Sequence, residues 1–342
     1  MVQTKLRIVT FLLLLISSWS QAEILFNDGP YLFYKDGTIE RVDIVKNTKK
    51  LSVYSGPLVI DTTFLSNPLD TFLNVEKIAA ISDLHGQFDI FKQLLVQNQI
   101  IDEQLNWSFG NGHLVITGDI FDRGDTVTEA LWLVYKLEQQ AKKAGGKLHY
   151  LLGNHEYMVL RNDQRYLHPK YVHAVSHFNN DLRQQYSNDS VLGRWIRSKS
   201  TIININGFVF LHGGIHQDFL DLKLSLEKAN YEFRQTIGLG KDALKKNKIW
   251  STLHGRTGPI WYRGYFRDEQ LKEAQVDQIL SELNASKVIV GHTSMKKIEA
   301  HFNGKVIAID ASIKRGEQGE VLLWQNNIFH RGTMDGTLKP LE

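Results

Sequence analysis

The sequence contains no cysteine. That excludes cysteine nucleophiles, disulfide scaffolds and thiolate zinc or iron–sulfur sites. It leaves the compartment open, because an exported chain of this size folds without disulfides. Charge of one sign is also lacking. Against 37 Asp+Glu stand 40 Lys+Arg, a formal charge of +3, without the clustered basic surplus or basic-aromatic stripe that nucleic-acid binding requires. No internal repeat or low-complexity linker interrupts the chain. Nor is there an apolar run of transmembrane length. The one candidate, Ile8 to Ile16, has nine residues, too few to span a bilayer. Lys5 and Arg7 precede it and Ser20-Gln21-Ala22 follows, so residues 1–22 read as a signal peptide cleaved after Ala22. The expected product is periplasmic and free of the membrane after cleavage.

The remainder, 42% hydrophobic and 23% charged over the whole sequence, has ordinary globular composition. Residues 23–75 read as a small β-rich addition. Turn signals at Asn27-Asp28-Gly29 and Lys35-Asp36-Gly37 flank apolar segments Tyr31 to Tyr34 and Ile39 to Val45, which predicts a hairpin. Residues 76–342 read as the main domain. Lys77 to Ser82, His113 to Thr117 and Lys147 to Leu152 are buried-strand patterns, separated by helical patterns over Gln87 to Gln99 and Glu129 to Lys143. This alternation predicts βαβ units and an α/β sheet. Residues 156–200 form a polar, aromatic, helical insert. Asn206-Gly207 joins a second hairpin. Residues 217–248 and 268–284 are helical, and 287–290, 305–309 and 320–324 are late strands.

Five motifs follow strands: Asp83-Leu84-His85-Gly86, Gly118-Asp119-Ile120-Phe121-Asp122-Arg123-Gly124, Gly153-Asn154-His155-Glu156, His212-Gly213-Gly214 and Gly291-His292-Thr293. Asp83, Asp119 and Asn154 are 36 and 35 residues apart, one βαβ step each. Neighbouring strands therefore deliver them to one rim, where α/β sheets collect ligands. Asp83, His85 and Asp119 offer two carboxylates and an imidazole; Asn154, His212 and His292 offer an amide oxygen and two imidazoles. Mixed oxygen and nitrogen donors suit Mn, Fe or Zn rather than Ca. Asp119 is placed for sharing, which gives a two-metal site bridged by Asp119 and a hydroxide. Its positive surplus attracts phosphate, and Arg123 and Arg263 add fork-shaped donors. His155, directly after Asn154, cannot easily bind the same ion and suits a general acid, with Asp122 orienting its imidazole. Taken singly, an Asp after a strand is often only a turn or cap residue. The five fixed positions of the Asp119 motif, however, arise by chance in on the order of one chain in 10⁴ at usual residue frequencies.

Other patterns carry less. Gly238-Leu239-Gly240-Lys241-Asp242-Ala243 loosely matches a dinucleotide loop, but no strand precedes it, so it reads as a helix break. His173 and His177 have i, i+4 spacing without the glutamate of a zinc protease helix.

The five motifs resemble those of the PPP-type phosphoprotein phosphatases within the calcineurin-like metallophosphoesterases, over about residues 77–311, and the details resemble the bacterial branch called Shewanella-like phosphatases. The resemblance implies a β-sandwich flanked by helices. It also implies single-step hydrolysis of phosphomonoesters by direct attack of a metal-bridging hydroxide, without a phosphoenzyme. In that scheme Asp83, His85 and Asp119 hold one ion, Asp119, Asn154, His212 and His292 the other, Arg123 and Arg263 bind phosphate, and His155 paired to Asp122 is the acid. Two departures stand out. Ser82 replaces the glycine usual before the first Asp, and Trp261-Tyr262-Arg263-Gly264 differs from eukaryotic members around Arg263. The expected substrate is a phosphoprotein or phosphopeptide, with phosphotyrosine preferred. Alternatives are hydrolysis of a small phosphoester or dinucleoside polyphosphate, and, in another class, a non-catalytic metal-dependent interaction module. A base-stacking aromatic pocket in the insert favours the nucleotide; an open groove favours a protein.

Overall fold

The structure is a computed structural model and describes residues 24–61 and 69–341. The expected signal peptide lies outside the described residues. Among these, no helix is long and apolar enough to cross a membrane.

The chain opens with three antiparallel strands, β1 (Asp28–Lys35), β2 (Thr38–Val45) and β3 (Thr48–Val53). Asp36 and Gly37, then Lys46 and Asn47, turn the chain with positive φ, the two-residue geometry that matches strand twist. The first two strands follow the apolar alternation. β3 was not expected, because all six of its residues are exposed and it carries no inward-facing pattern. Leu32, Val42 and Ile44 are buried, and Tyr31 packs edge-on against Phe178 at 5.2 Å. The sheet therefore lies on the helical insert.

The main body is two six-stranded sheets. β4 (Thr71–Phe72) belongs to the second of them. β5 (Lys77–Ile81), β6 (His113–Ile116) and β7 (Lys147–Tyr150) are parallel neighbours, connected by α1 (Phe88–Gln97) and α2 (Val127–Lys143). The second sheet continues with the Asn206-Gly207 hairpin of β8 (Ile202–Ile205) and β9 (Phe208–Leu211), then β10 (Lys287–Val290), β11 (Glu299–His301) and β12 (Val306–Ala308). β13 (Glu320–Gln325), β14 (Ile328–Thr333) and β15 (Leu338–Pro340) return to the first. The orders are β15-β14-β13-β5-β6-β7 and β11-β12-β10-β9-β8-β4.

Alternation along each strand divides the core. Ile78, Ala80 and Val115 meet Ile203, Phe210, Ile289 and Ile307 between the sheets. Ala79, Ile81, Leu114 and Ile116 join the layer packed with Leu94 and Leu131 of the helices. Both faces are covered, which is why these strands read as continuous apolar runs. Each wholly buried side chain of the size of Phe210 stabilises the fold by about 1.5–3 kcal/mol relative to exposure.

The insert contains α3 (Asn154–Leu160), α4 (Pro169–Ser176), α5 (Leu182–Gln185) and α6 (Val191–Arg197). The helical stretch expected at 217–248 is divided into α7 (Gln217–Leu220), α8 (Leu226–Gln235) and α9 (Lys241–Lys245), with α10 (Lys248–Leu253) and α11 (Gly264–Arg267) following. Ser225 caps α8 through the Lys228 amide, and Gly238 at φ +83° turns the chain before α9. The helix expected over 268–284 is shorter: α12 spans Glu273–Glu282, while Asp268 ends α11.

Candidate metal centre

Each of the five motifs leaves the carboxyl end of a strand or opens the helix after it. The first sheet supplies Asp83 after β5, Asp119 after β6 and Asn154 after β7; the second supplies His212 after β9 and His292 after β10. All of them, with His85, Asp122 and His155, are buried in one cluster between the sheets' ends. The backbone there is strained. Asp83, His85, Asp119, Asp122, Arg123 and His292 all have φ between +46° and +72°, a region that costs a non-glycine residue energy and concentrates at functional sites. Two glycines permit the close approach. A Cβ on Gly153 would strike the Asp119 carboxylate, and one on Gly291 the Ser82 hydroxyl and Asp83 carboxylate.

Hydrogen bonds show which atoms are committed and which are left. Asp83 Oδ2 accepts from the Ser82 hydroxyl at 2.6 Å and the His292 amide at 2.8 Å, leaving Oδ1 3.7 Å from His85 Nε2. Ser82 thus uses its departure from glycine to hold the first ligand, and Thr117 supports it at 2.7 Å. Asp119 Oδ1 accepts from the His155 amide at 2.9 Å. Its Oδ2 lies 3.6 Å from His85 Nε2, 3.1 Å from His212 Nε2 and 3.8 Å from His155 Nε2.

The tautomers follow. His85 Nδ1 is 2.7 Å from the Phe121 carbonyl and His212 Nδ1 is 2.9 Å from the Thr117 carbonyl. A carbonyl only accepts, so each Nδ1 carries the proton and each Nε2 presents a lone pair. His212 Nε2 meets Asn154 Oδ1 at 2.9 Å and His292 Nδ1 at 3.1 Å as well as Asp119. Acceptors facing acceptors at such distances are the signature of a cation site, and second partners on the far nitrogen are how ligating imidazoles are held. The charge balance agrees. Burial alone pushes His212 down, yet Asp119, Asp83 and Glu156 reverse it and raise its pKa to about 9, so a second proton competes with a bound cation for the Nε2 lone pair. Burial likewise opposes ionisation of Asp83 and Asp119, but the surrounding imidazoles hold both below the usual carboxylate range. The cluster demands positive charge, and the residues fit divalent metal. His85, Asp119 and His155 form one group of converging ligand atoms, and Asp119, His212 and His292 another.

His155 has a second relationship. Its Nδ1 is 2.5 Å from Asp122 Oδ2, and Arg123 approaches its Nε2 at 3.5 Å. Burial lowers the His155 pKa, but Asp119 and Asp122 outweigh it and leave it raised. The Arg123 side chain stacks on Tyr166 at 5.3 Å. Arg263 reaches the opposite side, donating to the His292 carbonyl at 3.3 Å, while its own Nε is buried without a hydrogen-bond partner. The arginines thus stand beside different imidazoles of one cluster.

Two acids went unassigned in the sequence reading. Glu156, fully buried, accepts from the amides of Asp119, Ile120 and Gly153, each at 2.8 Å, and from the Tyr150 hydroxyl at 2.9 Å. It ties the loop after β6 to the start of α3. Asp310 follows β12 and accepts from the Ser294 hydroxyl at 2.7 Å; burial, then Asp83, raises its pKa to about 7. Its signal was available, an Asp directly after an apolar strand. Glu156 offered only its place three residues after Gly153. His173 and His177 do approach one another, Nε2 to Nε2 at 3.4 Å, but on α4 and its end, outside this cluster.

Residues 76–295 match the calcineurin-like phosphoesterase family. The chain is 30% identical over 271 residues to Shewanella-like protein phosphatase 1 of Plasmodium berghei, covering 75% of this chain and 73% of the relative. It is 27% identical over 184 residues to a symmetrical bis(5'-nucleosyl)-tetraphosphatase of Chromobacterium violaceum, covering 54% of this chain and 57% of that one. Among solved structures, the cold-active protein-tyrosine phosphatase of a psychrophilic Shewanella species superposes with a TM-score of 0.88 at 41% identity, over 93% of this chain and 100% of that one. With strand-end carboxylates and imidazoles converging as a cation site, the chain belongs to the calcineurin-like phosphoesterase family, has Shewanella-like protein phosphatases among its homologues, and is a metal-dependent phosphoester hydrolase.

Proposed function

We propose that the chain is a phosphoprotein phosphatase that hydrolyses phosphotyrosine foremost, at a centre of two divalent ions. The observation that carries this reading is Asp119 Oδ2, which faces the lone pairs of both His85 and His212, at 3.6 and 3.1 Å. Asp83, His85 and Asp119 would hold one ion, and Asp119, Asn154, His212 and His292 the other; Mn, Fe and Zn all suit such donors. Ions of this kind polarise phosphoryl oxygens and activate water at neutral pH.

The chain's own groups do the rest. Arg123 and Arg263 flank the cluster and orient the phosphoryl oxygens with fork-shaped donors. Asp122 keeps the proton on His155 Nδ1 and favours the charged ring, so Nε2–H gives its proton to the leaving oxygen. This assigns His155 to proton transfer rather than metal binding, in keeping with its pairing to Asp122 and with the raised pKa to which Asp119 and Asp122 contribute. With no cysteine in the chain, direct hydrolysis replaces a cysteinyl-phosphate route. The tyrosine preference is supported by the Shewanella phosphatase named above and by the exposed Tyr166 ring 5.2 Å from His155, an aromatic wall beside the leaving group. A protein substrate is favoured by the open groove of about 900 Å³ beside Arg263. The basic start and apolar run of residues 1–22 support export to the periplasm.

Metal analysis of the purified chain tests the centre. Two divalent equivalents per chain are expected, falling toward none in Asp119→Asn. A variant that keeps both ions and full phosphatase activity would remove the bridge.

A further inference from the structure

The groove beside the metal centre is strongly and unequally charged. It lies between the start of the insert and the segment around α9 to α11, and encloses about 900 Å³, at the upper end of small-molecule sites. Arg161 and Arg165 line one part, and Lys241, Lys245, Arg256 and Arg267 others, with Arg263 and Trp261 also in the lining. The same Arg263 touches His292, and Trp261 packs against the His292 ring at 5.7 Å. The groove is therefore continuous with the reaction site.

Its cations outnumber the available counter-charges. Arg161 and Arg165 share the single carboxylate of Asp163, at 3.6 and 2.7 Å. Lys245 is 3.9 Å from Asp242, with both side chains well exposed. Asp268 is the one carboxylate in the lining among the described residues. The lining imidazole, His254, adds no charge at neutral pH, since burial and then Arg161 lower its pKa to about 3. The Gly-Leu-Gly-Lys segment at 238–241 also finds its place here. It follows helix α8 rather than a strand, and Gly240 opens α9 so that Lys241 and Lys245 both line the groove.

We propose that this groove binds acidic side chains flanking the phosphorylated residue, so that the preferred substrates are phosphopeptide segments rich in Asp and Glu. The proposal rests on the phosphoprotein reading above. A surplus of cations along a cleft that ends at the reacting phosphate raises the encounter rate and local concentration of anionic chains. Distributed lysines and arginines on separate elements match carboxylates spaced along an extended peptide better than one compact phosphate. The discrimination should weaken with salt, because most of these side chains are solvent-exposed.

The test compares phosphotyrosine peptides of one length whose flanks are Asp/Glu or Ala/Gln, using the full chain with its metal. Rates are normalised to p-nitrophenyl phosphate turnover by the same preparation. The acidic peptide should show kcat/KM about 10-fold or more above the neutral one at low salt, mainly through KM, shrinking toward parity at high salt. Replacing Lys241, Arg256 and Arg267 together by glutamine should remove most of that ratio. Equal rates on both peptides would overturn the groove assignment while leaving the phosphoprotein reading in place, as would an acidic preference unchanged in the triple variant. No turnover of either peptide, with rapid cleavage of a dinucleoside tetraphosphate that the triple variant slows, would overturn both and make the occupant a polyphosphate.

Discussion

His155 Nδ1 and Asp122 Oδ2 lie 2.5 Å apart, both buried. That contact leaves Nε2 as the nitrogen facing Asp119 and Arg123. A histidine so held supplies a proton in one direction only. His155→Asn should therefore retain both metal equivalents and lose roughly 10²–10⁴-fold in kcat on a phosphoester with a poor leaving group. The loss should be smaller with p-nitrophenolate, which departs without a proton. Steady-state kinetics across leaving groups checks this, and equal losses on all of them would argue against proton donation.

Glu156 is a purely positional acid. Removing it in Glu156→Ala strands three buried amides and a hydroxyl, at a cost of about 3–5 kcal/mol. Urea unfolding should show the midpoint fall, and bound metal should loosen because the Asp119 loop loses its anchor. An unchanged midpoint would mean that water replaces the carboxylate.

Arg263→Ala should mainly raise KM for phosphate substrates, since the guanidinium stands beside His292 rather than beside the proton donor. A change confined to kcat, with KM preserved, would place it in transition-state stabilisation instead.

Acid should destabilise the fold through histidines remote from the centre. Burial, with Lys147 adding to it, lowers the His113 pKa to about 4, and burial holds its neighbour His149, 3.0 Å away, well below 6.5. These rings are neutral when folded and protonate near 6.5 when unfolded. The unfolded state then binds more protons below that value, so stability is full above pH 6.5 and declines from there toward pH 4. Urea midpoints in chelator at pH 7.5, 6 and 5 should fall in that order, and His113→Gln should flatten the decline. A midpoint independent of pH would show that the rings protonate within the fold.

Much of this was legible in the sequence, for identifiable reasons. Asp83, Asp119 and Asn154 could be assigned to one rim because βαβ spacing leaves few alternatives. His212 and His292 joined them through Gly-flanked strand ends. The hidden parts have no periodic signature. β3 is exposed throughout. Glu156 looks like a helix-start acid, and two of its four donors, the amides of Asp119 and Ile120, come from a loop brought to it only by folding. The positive φ values at His85, Arg123 and His292 leave no periodic pattern in the sequence, and even for histidine, which adopts them more readily than most residues, they are uncommon. The groove is equally tertiary, assembled from arginines and lysines up to 106 residues apart, Arg161 to Arg267.

The most direct measurement is phosphate release by the purified chain from matched phosphotyrosine and phosphoserine peptides and a dinucleoside tetraphosphate, with Mn²⁺ and after chelation. The account predicts metal-dependent release, fastest from phosphotyrosine, lost on chelation and restored by metal. Undiminished release after complete metal removal would contradict the centre built on Asp119. Release confined to the dinucleoside tetraphosphate would contradict the protein substrate.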